Sequence, residues 1–247
     1  MNPHAADGTD LIMPKLIVPA YFHPATHAYE WAWLARHAAQ VQLVLLNPAS
    51  GPGSQPDQAY FGVLDRLRSA GVLVAAYVDT NYGQRPLHEA MIDVGRYRDW
   101  YQVSGVFFDR AAPTARRVRH YADLARVARD MGASVVAFNH GVHPIEAYAD
   151  HADLLGTFEG PWNAYLELAV PRWVRSREAG RFFHLMHSAS TSSFRDAVWL
   201  AARRNAGGFY VTDRGGANPW DGLPAGAPDP QALWTGMGVD RDDPRRV

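Results

Sequence analysis

Cysteine is absent from the 247-residue sequence. Its absence excludes disulfides, thiolate metal sites, iron–sulfur clusters and cysteine nucleophiles. The sequence also has no apolar run approaching the roughly 20 residues of a membrane-spanning helix, so no membrane partner is expected. The N-terminal residues show no basic stretch followed by an apolar one. We therefore expect no secretory signal peptide, and the localisation stays open.

The sequence also has no excess of charge of one sign. The formal net charge is −1, and Lys and Arg form only short pairs such as Arg116–Arg117. Nucleic-acid-binding surfaces concentrate basic residues, so a nucleic-acid partner is not indicated. A phosphate-binding loop is missing too, because NPASGPG (47–53) follows an apolar run but has neither the GxGxxG spacing nor a lysine. A doubly wound nucleotide-binding fold is therefore not expected.

Short apolar runs are present instead, and eight of them end in a polar or tyrosine side chain. The final residues are Tyr21, Asn47, Asp79, Asp109, Asn139, Glu159, His187 and Asp213. The intervals between them range from 20 residues (139 to 159) to 32 residues (47 to 79). Such an interval holds a strand, a helix and two connections. Eight such units predict an α/β fold, a single (β/α)8 TIM barrel.

The barrel domain is expected to span residues 1–247, with an N-terminal extension over 1–14 and a long loop, short helix and tail over 214–247. Helical periodicity and capping residues predict the outer helices. They are expected over 28–39, 60–71, 86–101, 116–130, 169–179 and 193–204, with a short helical segment near 144–151 and a last one near 229–236. No second domain is indicated, and a monomer is expected.

Side chains alternate along a strand, so the residues two and four positions before each ending share its direction. Those residues are mostly apolar or small, as a barrel interior requires. On the sixth and eighth strands the rule places Leu155, Thr157, Phe209 and Val211 inward. The eight endings are therefore predicted to form one ring at the C-terminal mouth of the barrel, where barrel enzymes carry their active sites.

Two carboxylates of this ring, Asp109 and Glu159, suit glycoside hydrolysis, which needs one protonated and one ionised carboxyl group beside the scissile bond. Phe158 and Trp162 flank Glu159 in the sequence. Apolar neighbours raise the pKa of a carboxyl group, so Glu159 is the candidate general acid. Arg110 follows Asp109, and an inward guanidinium is expected to keep Asp109 ionised as a nucleophile.

Two other functions fit the same ring. Histidines and carboxylates could hold a catalytic divalent metal ion, but His23 and His27 lie four positions apart around a proline, which matches barrel metallohydrolases poorly. We therefore expect no metal and no other cofactor. Alternatively, the barrel binds a glycan without cutting it. Aromatic residues suited to such binding are Tyr21, Tyr82, Phe108, Trp162, Tyr210 and Trp220.

Several segments resemble the spherulation-specific family 4 (spherulin 4-like) proteins. They are LIVPAYFHP, LLNPASGPG, YVDTNYGQRP, GVFFDRA, FNHG and TFEGPW, and the resemblance runs from Leu16 to Asp213. It implies a (β/α)8 barrel that hydrolyses α-1,4-linked galactosamine or N-acetylgalactosamine polymers, with endo-acting cleavage and a retaining mechanism expected. Asp109 and Glu159 match the catalytic carboxylates of that family. The implied partner is a polysaccharide or oligosaccharide.

The resemblance also implies a sugar-binding subsite. By matching motif, it is lined by Tyr21, His23, Asn47, Asp79, Tyr82, Asn139, His187, Tyr210 and Asp213. Phe108, Arg110 and Trp162 adjoin these positions and complete the predicted binding residues. One position departs from the family, because a second acid follows the strand-4 aspartate in its relatives, whereas Arg110 stands here. The departure predicts a neutral N-acetylated or an anionic glycan rather than cationic galactosamine.

Overall fold

Eight parallel strands close into a barrel in chain order in the computed structural model, which describes residues 13–235. The strands are β1 (Lys15–Ala20), β2 (Val41–Leu46), β3 (Val74–Asp79), β4 (Gly105–Asp109), β5 (Val135–Asn139), β6 (Leu154–Pro161), β7 (Phe182–His187) and β8 (Gly208–Val211). Pairing of β1 with β8 closes the barrel. The predicted (β/α)8 TIM barrel is confirmed.

Helices surround the barrel. They are α1 (Ala28–Arg36), α2 (Phe61–Ser69), α3 (Leu87–Tyr101), α4 (Val118–Asp130), α5 (Trp162–Leu166), α6 (Arg172–Arg175), α7 (Phe194–Arg203) and α8 (Pro230–Trp234). The segment Glu146–Asp150 forms a 3₁₀ helix, close to the short helical segment predicted there. Within the described residues, no helix combines the length and apolar character needed to cross a membrane. Residues 1–12 of the predicted extension, and the predicted tail beyond 235, lie outside the described residues.

The single helix predicted over 169–179 is wrong. In this range the chain forms only one α-helix, the short α6, directly preceded by Pro171, and α5 has already ended at Leu166. Pro171 lacks an N–H group, and a proline disfavours a helical conformation in the residue before it. A helix that begins at residue 169 would have to continue through this proline. The chain therefore restarts its helix after Pro171.

The amphipathic pattern of α4 shows how the outer helices pack. Its buried residues include Tyr121, Leu124 and Ala128, at spacings of three and four that place them on one face. Tyr121 contacts Phe138 of β5 with ring centroids 5.2 Å apart. Burying each large apolar side chain contributes about 1.5–3 kcal/mol, so this face holds the helix against the barrel.

Side chains fill the barrel interior. Phe107 on β4 and Phe183 on β7 belong to strands that are not neighbours, yet their ring centroids lie 6.1 Å apart. Both rings therefore point inward, and the same alternation turns Asp109, two residues after Phe107, toward the mouth. The register pairs Asp109 with Asp79 on β3 at the same level.

A β-bulge interrupts the alternation of β6. Gly156 pairs with Phe183 of β7, and Phe158 pairs with the next residue, His184. Thr157 is therefore an extra residue without its own partner on β7. Its hydroxyl bonds the buried His184 Nε2 at 3.1 Å, on the helix side of the wall.

Because of the bulge, the predicted inward direction is wrong for the residues of β6 before and within it and correct for Glu159 after it. Leu155 and Thr157 do not point inward as predicted, because the extra residue shifts the phase of β6 by one position. Leu155 belongs instead to the apolar layer between the barrel and the helices. After the bulge, Glu159 pairs with Leu185 and points into the mouth, as predicted.

The inward positions of β8 also differ from the prediction. Gly208 faces the interior, since a Cβ there would lie 2.7 Å from a side-chain atom of β1. Tyr210, two residues on, shares this direction, whereas Phe209 and Val211 were predicted to do so. The cause is that β8 ends at Val211, so Asp213 lies beyond the strand and does not share its alternation.

Candidate active site

Neighbouring strands β4, β5 and β6 bring Asp109, Asn139 and Glu159 together at the mouth. The Asn139 amide nitrogen donates to Asp109 Oδ1 at 2.8 Å and also to Glu159 Oε2. The other end of the amide, Oδ1, accepts the Gly141 N–H at 3.3 Å, which turns the nitrogen toward the carboxyl groups. One buried amide therefore joins the two predicted catalytic residues.

Sharing one nitrogen limits the distance between the two carboxyl groups. Because a hydrogen bond spans about 3 Å, two oxygens bonded to the same nitrogen lie no more than about 6 Å apart. Retaining glycosidases hold their carboxyl groups about 5–5.5 Å apart, whereas inverting enzymes need about 6.5–9.5 Å to admit a water molecule. Asp109 and Glu159 fall on the shorter side of this division.

Burial shifts Glu159 toward its protonated form. Loss of contact with water raises the pKa of Glu159 to about 7, and the nearby charge of Asp109 adds to the increase. Hydrogen bonds from Asn139 and Trp220 oppose the shift, because they favour the ionised carboxylate. A carboxyl group in this state can keep its proton in mildly acidic solution and release it to a substrate.

Asp109 is half-buried like Glu159, but several hydrogen-bond donors contact it. Burial raises its pKa, while hydrogen bonds from Asn139, the Arg110 backbone and Tyr77 act in the opposite direction. Tyr77 packs edge-on against Tyr21 with ring centroids 5.4 Å apart, and burial raises the pKa of both phenols. The phenols therefore stay protonated. Tyr77 is a functional neighbour that the sequence interpretation missed, although the alternation had placed it inward.

Arg110 does not turn toward Asp109. Its guanidinium donates to Asp79 Oδ2 at 2.9 Å and to Asn81 Oδ1 at 3.0 Å, and it lies over the Tyr82 ring, 5.0 Å from the centroid. The inward guanidinium that would keep Asp109 ionised is therefore not present. The cause lies in the backbone, because Arg110 has a left-handed φ of +52°, which ends the strand alternation. The guanidinium neutralises Asp79 instead.

The loop after β8 forms a wall beside Glu159. Trp220 in this loop is only 5% exposed, and it packs edge-on against His187 and Tyr210 with centroid distances of 5.9 Å. It is also a hydrogen-bond partner of Glu159. Sequence reasoning considered Trp220 only for glycan binding, because an irregular loop has no periodicity from which its direction can be derived.

Besides Asn139, two predicted sugar-binding residues are buried. Phe108 is fully buried (0% exposed) and packs against Phe138, 6.0 Å between centroids, in the layer under the helices. The prediction that Phe108 binds sugar is wrong, since it alternates with the inward Phe107. Tyr210 points inward but is also buried, and its hydroxyl donates to the Gly222 carbonyl at 3.2 Å. It supports the loop after β8 and presents no surface to a ligand.

Asp213 has a local partner in the loop after β8. It is exposed, and its carboxylate accepts the Ala225 N–H at 2.9 Å. Arg214 next to it bonds the Asp221 carboxylate at 2.8 Å and the Leu223 carbonyl at 3.0 Å. The prediction that Asp213 completes an inward ring is therefore wrong, and its contacts hold the loop in place.

His23 and Asn47 hold loops beside the mouth. His23 Nδ1 accepts the Ala25 N–H at 3.1 Å, so Nε2 of the neutral ring carries the proton and donates to Asp57 Oδ2 at 2.8 Å. Asn47 Oδ1 accepts the Gly51 N–H at 2.8 Å. Both side chains are half-buried and stay predicted sugar-binding residues. The other predicted binding residues with accessible surface at the strand ends are Tyr21, Asp79, Tyr82, Arg110, Trp162 and His187.

A metal site would need several converging ligands. Within residues 13–235, no three side chains of His, Asp or Glu come together in a way that could hold a metal ion. His23 and His27, the histidines considered for this role, bond Asp57 and Thr26 respectively. The chemistry that the described residues support best is acid–base and nucleophilic catalysis by the carboxyl pair.

Known proteins share both sequence and fold with this chain. The model of the spherulation-specific family 4 matches residues 15–229. Spherulin-4 of Physarum polycephalum is 28% identical over 211 residues, which cover 81% of this chain and 63% of that protein. The chain thus spans less than two thirds of the length of this relative.

Solved structures show the same barrel. Sph3 of Aspergillus clavatus, determined in complex with GalNAc, superposes with a TM-score of 0.78 and 24% identity, covering 90% of this chain and 97% of that one. The chitinase RmChi1 of Rhizomucor miehei has a TM-score of 0.53 and 10% identity, over 85% and 98% of the two chains. These likenesses extend the barrel fold to proteins that include glycoside hydrolases.

Proposed function

This chain belongs to the spherulation-specific family 4, and from that membership we propose that it is a glycoside hydrolase acting on an α-linked (N-acetyl)galactosamine-type polysaccharide. The observation that carries the proposal is the Asn139 amide that joins Asp109 and Glu159 at the mouth. A barrel that only bound sugar would have no use for two half-buried carboxyl groups at this spacing. The chemistry is that of a retaining, two-carboxylate mechanism.

Glu159 acts as the general acid in the first step and Asp109 as the nucleophile. An Asp109 oxygen forms a bond to the anomeric carbon, the bond from that carbon to the leaving oxygen breaks, and the Glu159 proton moves to the leaving oxygen. The pKa of about 7 keeps Glu159 protonated in mildly acidic solution. Donors from Asn139 and Tyr77 favour the ionised form of Asp109.

The second step releases the sugar. A water molecule attacks the anomeric carbon, the Glu159 carboxylate takes the proton of that water, and the ester bond to Asp109 breaks. Glu159 is then protonated and Asp109 ionised, as at the start. Two displacements at one carbon give net retention of configuration.

Charge at the mouth favours an N-acetylated over a free amino sugar. Arg110 neutralises Asp79 and keeps its side chain 43% exposed beside the Tyr82 ring. With Asp79 already paired, no free carboxylate there attracts an ammonium group on the sugar, whereas a neutral acetamido group, or an anionic substituent beside the exposed guanidinium, is accepted. The GalNAc bound to Sph3, a protein of the same fold, supports the first of these.

The proposal is tested by turnover of α-1,4-linked N-acetylgalactosamine and galactosamine oligomers, and of a panel of other polysaccharides, with and without EDTA. The variants Asp109→Asn and Glu159→Gln should each lower kcat by about 10²–10⁴-fold. Matched controls are Asp130→Asn and Glu178→Gln, exposed carboxyl groups on α4 and just before β7, which should keep full activity. NMR of the first-formed anomer reports retention.

The outcomes separate the candidate functions. Cleavage that resists EDTA and is lost in both variants supports the proposal. Cleavage abolished by EDTA would favour a metal-dependent hydrolase. Binding of oligomers without any cleavage would favour a non-catalytic sugar-binding barrel.

A further inference from the structure

Asn139 uses every polar atom of its side chain inside the protein. The side chain sits at the end of β5, and the residue is only 3% exposed. Its amide nitrogen has two hydrogens, and these serve Asp109 Oδ1 and Glu159 Oε2, while its oxygen serves the Gly141 N–H. No donor remains for a sugar hydroxyl, so the prediction that Asn139 binds sugar is not supported by this geometry.

The strand next to Asn139 leaves room for it. A Cβ placed on Gly156 of β6 would overlap Asn139 Oδ1 and lie 2.7 Å from the Phe183 ring. Any other residue at position 156 would therefore displace the Asn139 amide or the Phe183 ring. The next residue, Thr157, forms the bulge that turns Glu159 back toward Asn139. Two features of β6 thus serve the same contact.

We propose that Asn139 is a positioning residue that holds the nucleophile and the acid at a fixed spacing and orientation. The proposal rests on the proposed function of Asp109 and Glu159. Asn139 contacts Asp109 through Oδ1 and Glu159 through Oε2, so one nitrogen holds one oxygen of each carboxyl group in place. Loss of the amide removes this shared contact and frees both carboxyl groups to rotate away from each other.

Other groups that face the pair contribute to its protonation. Tyr21 lies at the end of β1, and Tyr77 and Asp79 come from β3. On β4, the Arg110 backbone bonds Asp109, while the Arg110 guanidinium is turned toward Asp79. The Trp220 indole approaches Glu159 from the loop after β8. Among these neighbours, Asn139 alone contacts both carboxyl groups through a single atom.

The test compares wild type with Asn139→Ala and with Asn139→Asp, which has nearly the same shape. The amide N–H groups favour the ionised carboxylates, so their loss should move both limbs of the pH profile of kcat/KM to higher pH, by about one pH unit. We expect kcat to fall by about 10–100-fold and KM to change less than twofold. The aspartate variant, which adds a third carboxyl group, should shift the limbs at least as far.

A substrate-free measurement keeps this test separate from that of the proposed function. In protein with ¹³C-labelled aspartate and glutamate carboxyl groups, the Asp109 and Glu159 signals should titrate at higher pH in Asn139→Ala than in wild type, whether or not any glycan is cleaved. Unchanged titration curves and unchanged pH limbs would overturn the proposal. So would a variant whose loss lies in KM alone, since that pattern marks a sugar contact. If the alanine variant does not fold, the aspartate variant decides by the same criteria.

Discussion

Thr157 and Glu159 lie two residues apart on β6, yet they point to opposite sides of the barrel wall. Thr157 bonds His184 on the helix side, and Glu159 meets the Asn139 amide inside the mouth. Regular alternation would place both on the same side. The bulge between Gly156 and Phe158 makes the difference, and so the position of the candidate acid depends on an irregularity of the strand.

Removing the hydroxyl of Thr157 should therefore weaken the fold. In Thr157→Val, which has similar volume, the fully buried His184 loses the partner of its Nε2 atom. We expect the free energy of unfolding to fall by about 1–3 kcal/mol, measured by urea denaturation. Thr114→Val is the control, because Thr114 is exposed, and it should change stability by less than about 0.5 kcal/mol. Equal effects in the two variants would contradict the role of the Thr157–His184 bond.

Activity should have a bell-shaped dependence on pH with its maximum below neutrality. The general acid must be protonated, so kcat/KM should decline as the pH rises through about 7, the pKa of Glu159. The acidic limb reports protonation of Asp109, whose pKa is raised by burial. Profiles on an oligosaccharide with an activated leaving group, which needs no acid, should lose the alkaline decline. If the alkaline decline persists on the activated substrate, a group other than Glu159 causes it.

Glu159 should also make stability depend on pH. Its folded-state pKa of about 7 exceeds the ordinary value of 4.5, so between these pH values the folded chain holds a proton that the unfolded chain has released. Stability should therefore fall as the pH rises across this range, by about 3 kcal/mol for the full shift. Thermal melts of wild type and Glu159→Gln at pH 4.5 and 8 measure it. The glutamine variant should lose most of this pH dependence, and a gap between the variants that does not widen with pH would refute the assignment.

Gly156 should tolerate no side chain. In Gly156→Ala the new methyl group would overlap Asn139 and the Phe183 ring, so we expect a loss of about 1–3 kcal/mol in stability. Gly62→Ala is the matched control. Gly62 lies in α2 with no atom within 4 Å of the added Cβ, and alanine there should stabilise by about 0.5–1 kcal/mol. Differential scanning calorimetry of both variants measures these two opposite changes in stability.

Arg110 should set the preference for acetylated sugar. Arg110→Glu replaces the cation beside Asp79 with a second acid, which should attract an ammonium group. The ratio of kcat/KM for N-acetylated over deacetylated oligomers is expected to fall at least about tenfold, equivalent to about 1.4 kcal/mol. Arg126→Glu, on the exposed surface of α4, serves as the charge control. An unchanged ratio in the Arg110 variant would remove this residue from substrate selection.

The barrel could be predicted from sequence because its evidence repeats. Eight runs at similar intervals indicate eight βα units, and no single run decides the fold. Asp109 and Glu159 could be placed inward because each ends a recognisable apolar run in the sequence. In the case of Glu159 the inference succeeded for an incomplete reason. Regular alternation places both Thr157 and Glu159 inward. This is correct for Glu159 but wrong for Thr157, because the bulge shifts the phase of the strand between them.

The other side chains of the site could not be placed from the sequence, because their directions depend on features that have no periodic pattern. The direction of Arg110 follows from one left-handed backbone angle, and that of Trp220 from contacts inside a long loop. The position of Asp213 depended on where β8 ends, two residues before it. Each of these is decided by tertiary packing, which local residue patterns do not report.

The backbone of Arg110 has a consequence for the engineering of this protein. A left-handed conformation costs a non-glycine residue about 1–2 kcal/mol, and glycine avoids that cost. Arg110→Gly would thus relax the chain at the same position where it deletes the cation held by Asp79 and Asn81. Any variant that gains stability through this exchange would therefore discriminate less well between acetylated and free amino sugars.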